Sequence, residues 1–270
     1  MTEREDAAAD SRHILGMRVD ATSYDDATRR IAGWAKARES RSVCVASVNN
    51  VMIARDDPSF LAVMNDADLV TPDGMPLVWG LRRLGIPSAT RVYGPALTPM
   101  IFSLAEKEGI PVGFVGGTPA VLDKLIANAT ASFPDMRIAY TVSPPFREIT
   151  AEEEAQISQQ INDSGARIVF VGLGTPKQDV WMARQRGKVQ AVMIGVGAAF
   201  DFFAGEKPQA PAVLQRSGFE WLFRLATEPR RLWKRYLRQN PRFVALFARQ
   251  LLSHRKQPLA HPNIYRQEAP

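Results

Sequence analysis

The chain has 270 residues, 46% of them hydrophobic and 23% charged, which suits one large α/β domain with a real core and room for an appendage. Its one cysteine, Cys44, excludes a disulfide framework and a cysteine metal cage. The net charge of +6 is unevenly placed: residues 216–256 hold nine Arg and two Lys against Glu220 and Glu228, a surplus of +9 that leaves −3 for the first 215 residues and nothing for 257–270. Basicity confined to one segment addresses a partner rather than the fold.

Met1 to Arg12 is polar and lacks the apolar core of a signal peptide, so it reads as a disordered tail. Ile14 to Val19 looks like a short strand. Ser23, with Asp26 three residues on, resembles an N-cap for a helix through Ala37. Ser42 to Val48 is β-rich and ends in the polar residues Ser47, Asn49 and Asn50. Met52 to Asn65 reads as helix, with a restart at Pro58. Leu69 and Val70 close a strand at Thr71-Pro72-Asp73-Gly74, and a helix over Pro76 to Leu84 follows. Thr98 to Glu108 is helical and stops at Gly109.

From Pro111 the pattern becomes regular. Strands over Pro111–Val115, Met136–Val142, Ala166–Val171 and Val189–Ile194 alternate with helices ending near Ser132, Asn162 and Arg186. Ser143-Pro144-Pro145-Phe146 is a rigid loop. Unbroken apolar strands alternating with helices predict a Rossmann-like α/β fold, a mostly parallel sheet covered by helices on both faces, over residues 13–215. Residues 216–256 form a basic helical C-terminal appendage, with helical stretches separated by Pro229 and Pro241, and 257–270 a flexible tail. In Arg230 to Gln239, the basic residues Arg230, Arg231, Lys234, Arg235 and Arg238 fall within about 140° of helix circumference at 100° per residue, with Leu232, Trp233, Tyr236 and Leu237 opposite. That pattern fits an interfacial membrane helix or a helix packed on the domain with its arginines solvated. No run approaches the roughly eighteen apolar residues of a spanning helix.

Histidine is confined to His13, His254 and His261, so acid–base work inside the α/β body falls to a carboxylate, tyrosine or lysine. Asp73 sits in a turn at the carboxyl end of a strand, the edge where open α/β sheets bind ligands. It is either a turn residue or a catalytic base. Glycine turns follow three strands, at Gly116-Gly117-Thr118-Pro119, Gly172-Leu173-Gly174-Thr175-Pro176 and Gly195-Val196-Gly197. Such turns bring backbone N–H groups to a phosphate or simply make tight corners. None is a full dinucleotide or Walker fingerprint. Asp66-Ala67-Asp68 reads as a solvated helix end, and Asp201 as a buried helix cap or a second acid.

Taken together, several of these segments resemble the WecG/TagA/CpsF family of bacterial glycosyltransferases. They are Ser47-Val48-Asn49-Asn50, Ala67 to Pro76, Gly116 to Pro119, Ser143 to Phe146, Gly172 to Gln178, Gly195 to Asp201, Gly218 to Leu225 and Glu228 to Arg231, in order across residues 14–252. The resemblance implies an inverting hexosyltransferase that moves N-acetylmannosamine or a related sugar from a UDP donor to a polyprenyl-diphosphate-linked sugar in cell-surface polysaccharide synthesis. It places the base on Asp73 and the donor contacts on Gln178, Gly117 and the Ser47/Asn49/Asn50 segment. Arg224 and Arg231, with Lys234 or Arg235 as the next candidate, would meet the lipid diphosphate. No metal or other cofactor is required, since one base suffices for inversion and arginines can stabilise the leaving UDP. The family often has an aspartate where this chain has Ala96. The expected setting is cytoplasmic, at the inner face of the cytoplasmic membrane, with residues 216–256 on an anionic surface, no nucleic-acid partner, and a homo-oligomer left open. The competing readings are a Rossmann-type oxidoreductase using the Gly172-x-Gly174 turn and a nucleic-acid binder using the basic tail.

Overall fold

A computed structural model describes residues 9–145 and 147–253. The first eight residues of the expected tail, Phe146, His254, His261, Arg255, Lys256 and the expected tail over 257–270 lie outside the described residues.

Two strands, β1 (Ser11–Ile14) and β2 (Met17–Asp20), pair antiparallel. The single strand expected over Ile14–Val19 is thus a hairpin, turning at Leu15 and Gly16, whose φ angles are 52° and 97°. The turn hides in the sequence because an apolar residue occupies the left-handed position where Asn or Gly is usual. Ordered structure also starts within the expected tail, since Ser11 and Arg12 are buried and Arg12 Nε donates to the Leu84 carbonyl at 2.8 Å.

The remaining strands, β3 (Arg41–Ala46), β4 (Leu69–Pro72), β5 (Val112–Gly116), β6 (Ile138–Val142), β7 (Ile168–Gly172) and β8 (Val192–Gly195), form one six-stranded sheet in the order β4-β3-β8-β7-β5-β6. Every pairing is parallel, with Val43 opposite both Leu69 and Ile194 and Ile168 opposite both Val112 and Val192. Helix α1 (Tyr24–Lys36) leads from the hairpin into β3, the crossovers between parallel strands are α2 (Val48–Asp56), α3 (Pro58–Asp66), α4 (Met75–Arg83), α5 (Gly94–Glu108), α6 (Pro119–Ser132), α7 (Ala151–Ser164) and α8 (Lys177–Gln185) with their loops, and α9 (Ala199–Phe203) follows β8.

Successive strand residues face opposite sides, and both sides are apolar. Cys44, Val70, Val169, Val171 and Met193 meet α2, α3, α4, α7 and α8, while Val43, Leu69, Phe114, Phe170 and Ile194 meet α1, α5, α6 and α9. Local chemistry sets the helix ends. Ser23 caps α1 through Asp26 N at 3.1 Å, Thr150 and Glu153 make a capping box on α7, and Gly109 ends α5 with φ 64°. Helix α5 begins four residues before the expected Thr98, because Pro95 fits the first turn, where its missing N–H costs nothing.

Three helices finish the described chain: α10 (Ala212–Arg216), α11 (Glu220–Thr227) and α12 (Pro229–Ser253). The break expected at Pro241 does not occur, and α12 runs through it. Proline removes one i−4 bond, but Leu232 before it and Phe243 after it are both buried, which holds the two halves in line. Part of α12 therefore packs on the α/β body. Arg242 bridges Asp56 of α2 at 2.5 and 2.6 Å, and Gln250 bonds Leu15 N at 2.9 Å and the His13 carbonyl at 2.7 Å.

Candidate active site

The carboxyl ends of β3, β4, β7 and β8 open into a cleft of about 280 Å³. Its floor comes from Ser47, Asn49 and Asn50 after β3, Asp73 after β4, Gly174, Thr175 and Gln178 after β7, and Gly195 to Ala199 after β8. Its roof is Arg224 of α11 with Arg231 and Arg235 of α12. The chain thus brings together eight of the nine expected site residues: Asp73, Ser47, Asn49, Asn50, Gln178, Arg224, Arg231 and Arg235.

Gly117 is the exception. The cleft centres on β4, β3 and β8, whereas Gly117 follows β5. Its turn is filled by the body: the carbonyl accepts from Ser143 Oγ at 2.7 Å, and a Cβ there would stand 3.5 Å from the Phe200 ring. The neighbouring Gly116-Gly172 contact is a packing device. A Cβ on Gly172 would lie 2.5 Å from the Phe200 ring, so glycine there lets α9 close on the sheet. Of the three glycine turns, those after β7 and β8 line the cleft.

The polar floor is already ordered. Asn50, 2% exposed, accepts from Ser47 N and Oγ at 3.1 and 3.0 Å and donates to Thr175 Oγ1 at 3.4 Å, so its work is to fix the turn. Asn49 is half-buried and faces the cleft. Gln178 Oε1 accepts from Gly174 N at 3.2 Å and from Gly197 N at 3.1 Å, tying the two glycine turns together at the start of α8.

Asp73 Oδ1 accepts from Gly94 N at 3.1 Å, and Asp73 N bonds the Ala46 carbonyl at 2.8 Å. The carboxyl keeps an opening to the cleft but is otherwise enclosed by protein. Burial raises its pKa from 3.8 to about 6, with Glu220 adding to the rise and Arg91, Gly94 N–H and Arg224 opposing it. A base tuned near neutrality is what proton abstraction at physiological pH requires. Tyr93 lines the cleft too, its hydroxyl buried and raised well above the usual range by burial and by the carboxylates of Glu220 and Asp73.

Above the carboxylate, the roof is short of partners. Among the described residues, Arg224 Nε and Arg235 Nε are buried without a hydrogen-bond acceptor, and Arg224 lies 5.7 Å over the Phe202 ring. Arg231 pairs with Glu228 at 2.8 Å, at the protein surface. Buried guanidinium donors beside a cleft suit an anionic ligand.

The other acidic candidates are accounted for within the fold. Asp66 and Asp68 pair with Arg186, and Asp68 also with Arg41 at 2.7 Å, so the Asp-x-Asp stretch staples helices and strands. Asp201 is neither a buried cap nor a second acid: it is partly exposed, outside the cleft, and paired with Lys207. Ala96 lies in the first turn of α5, also outside the cleft lining. Sequence reasoning passed over Tyr93, Phe202 and Thr175. The signal for Thr175 was its glycine turn, whereas nothing local marks Tyr93.

A parallel α/β sheet whose carboxyl edge carries an enclosed carboxylate beneath three arginines is the setting of a ligand site suited to anionic groups. The chain belongs to the glycosyl transferase WecG/TagA/CpsF family, whose model matches residues 12–257. It is therefore a glycosyltransferase of cell-surface polysaccharide synthesis, a class that uses a sugar-nucleotide donor and a lipid-linked acceptor. Family membership sets aside the oxidoreductase and nucleic-acid readings. Among the described residues, no helix is long and apolar enough to cross a membrane.

Proposed function

We propose that this enzyme moves a hexose, N-acetylmannosamine or a relative, from a UDP donor to a polyprenyl-diphosphate-linked sugar, with inversion and with Asp73 as general base. The observation that carries the reading is the meeting, in one cleft, of a tuned carboxylate from β4 with Arg224, Arg231 and Arg235 from the end of the chain. As the acceptor oxygen attacks the anomeric carbon, its proton passes to Asp73. The bond to UDP breaks on the opposite face, and its electron pair leaves with the diphosphate. Arg224 and Arg235, each with a buried Nε that finds no acceptor among the described residues, take up that charge as it develops. Gln178 and Asn49 lie where the donor would rest.

The lipid end of the acceptor is met at the membrane. Trp233, Leu237, Val244 and Leu252 of α12 stay exposed, as do Phe219, Leu222 and Val213 nearby, beside the arginines of the same helices. Exposed bulky apolar side chains beside basic ones favour an anionic bilayer over a solvated helix face. The test is a panel of UDP-sugars incubated with a polyprenyl-diphosphate sugar and read by product mass and by NMR of the new anomeric centre. Addition of one hexose unit with the anomeric configuration inverted supports the proposal, whereas hydrolysis alone, or retention, sinks it.

A further inference from the structure

Arg91 lines no part of the cleft, yet its guanidinium joins three separate segments. Nε donates to the backbone carbonyl of Asp73, Nη1 to the Gln215 carbonyl at 3.3 Å, and Nη2 to Glu220 Oε2 at 2.5 Å. Its plane lies 4.2 Å over the Tyr93 ring, and the Arg91 and Glu220 side chains are only 15% and 12% exposed. Three residues on, Gly94 N holds the Asp73 carboxylate itself. The stretch from Arg91 to Gly94 thus grips both the peptide and the carboxylate of Asp73, while α10 and α11 grip Arg91.

We propose that Arg91 and Glu220 are positioning residues that couple the seating of the C-terminal helices to Asp73, so that the base is correctly placed only when α11 is docked. The inference rests on Asp73 being the base. Its physical content is that a planar fork reaches acceptors on three separate segments from three different nitrogens, whereas the three N–H donors of a lysine share one nitrogen and cannot span them. A helix recruited from more than a hundred residues away then becomes part of the catalytic turn's support.

The titratable and charged groups that face Asp73 are Arg91 and Tyr93 before α5, Glu220 and Arg224 on α11, Arg231 and Arg235 of α12 across the cleft, and Tyr24 on α1. Arg91 favours the ionised carboxyl and Glu220 disfavours it. Two variants of similar bulk therefore push in opposite directions. Arg91→Gln should move the acid limb of the kcat/KM profile up by about one unit, and Glu220→Gln should move it down. Arg91→Lys should leave the limb near its wild-type position while kcat falls on the order of tenfold or more, because the charge stays but the three-way grip is lost.

The experiment measures these limbs on the full chain with membrane-embedded acceptor, alongside the ¹³C titration of the Asp73 carboxyl, assigned by its absence in Asp73→Asn. Opposite shifts in both readouts support the coupling. Limbs that stay put, or that move the same way in both glutamine variants, overturn it. Glu220→Gln keeps an acceptor for Arg91, so it decides the matter alone if Arg91→Gln does not fold. Transfer by Asp73→Asn would refute the base itself. A dead Asp73→Asn with unmoved limbs refutes only the coupling.

Discussion

Replacing Asp73 by Asn gives the most searching test of the site, because activity and stability should move in opposite directions. Asn keeps the shape and its Oδ1 can still accept from Gly94 N, but it cannot take a proton. The loss of a general base should lower kcat by about 10²–10⁴-fold. The folded carboxyl has a pKa of about 6 against a reference of 3.8, so the native state holds its proton more tightly than the unfolded chain does. Stability then falls as pH rises through that window and is level above it. At 1.36 kcal/mol per unit, the full penalty at pH 8 is about 3 kcal/mol, and contact with the open cleft reduces it to about 1–3 kcal/mol. Asp73→Asn should therefore be more stable than wild type by that amount at pH 8, a rise in Tm of several degrees, and about equal to it at pH 4. Parallel thermal melts at the two pH values isolate the titration from any packing change. Equal differences at both would refute the burial argument, and wild-type transfer by the folded variant would refute the base. In the wild type, kcat/KM should rise about tenfold per pH unit below 6 and level off above it.

Other consequences are as concrete. Arg224→Ala and Arg235→Ala should each weaken UDP binding by about 1.5–3 kcal/mol, measured by calorimetry, a loss larger than any fall in stability, because each buried Nε has no acceptor among the described residues to lose. Gln178→Ala orphans the Gly174 and Gly197 N–H groups, so it should lower unfolding free energy by about 1–3 kcal/mol and raise KM for the donor. Gly172→Ala forces a methyl into the Phe200 ring and should cost about 1–3 kcal/mol in denaturant unfolding without altering the chemistry of the cleft. Changing exposed Trp233 or Leu237 to Glu should reduce binding to anionic liposomes by on the order of tenfold while the fold is kept; unchanged binding would remove α12 from the membrane.

The parallel sheet could be read from the sequence because strands buried on both faces leave unbroken apolar runs, as at Ile168–Gly172 and Val192–Gly195. Asp73 could be read because a Pro-Asp-Gly turn closes a strand in a body almost without histidine. The arginine roof showed itself only as charge and through the family resemblance. Periodicity says which face of a helix is basic, not which α/β edge it will cover. Arg91 carried no signal, and Glu220 showed only as one residue of the Gly218–Leu225 resemblance, with nothing to join the two. They are 129 positions apart, each is unremarkable beside its neighbours, and their importance exists only after α11 has packed. The glycines of Gly116-Gly117 were ambiguous for the opposite reason. Close packing and phosphate binding both demand a missing Cβ, and the sequence does not say whether a neighbouring strand, as the Gly172 backbone does at Gly116, or a ligand fills the space.

The clasp between α12 and the start of the chain bears on how the enzyme can be dissected. Arg242 holds Asp56, Gln250 serves both Leu15 and His13, and Phe243 is buried among the residues of the sheet's α2 side. A truncation made to shed the basic tail would also strip the hairpin of two backbone partners and uncover part of the core. Lost activity in such a shortened protein reports damage to the catalytic body as well as escape from the bilayer. Point changes on the outward side of α12 separate the two, because they leave the clasp closed.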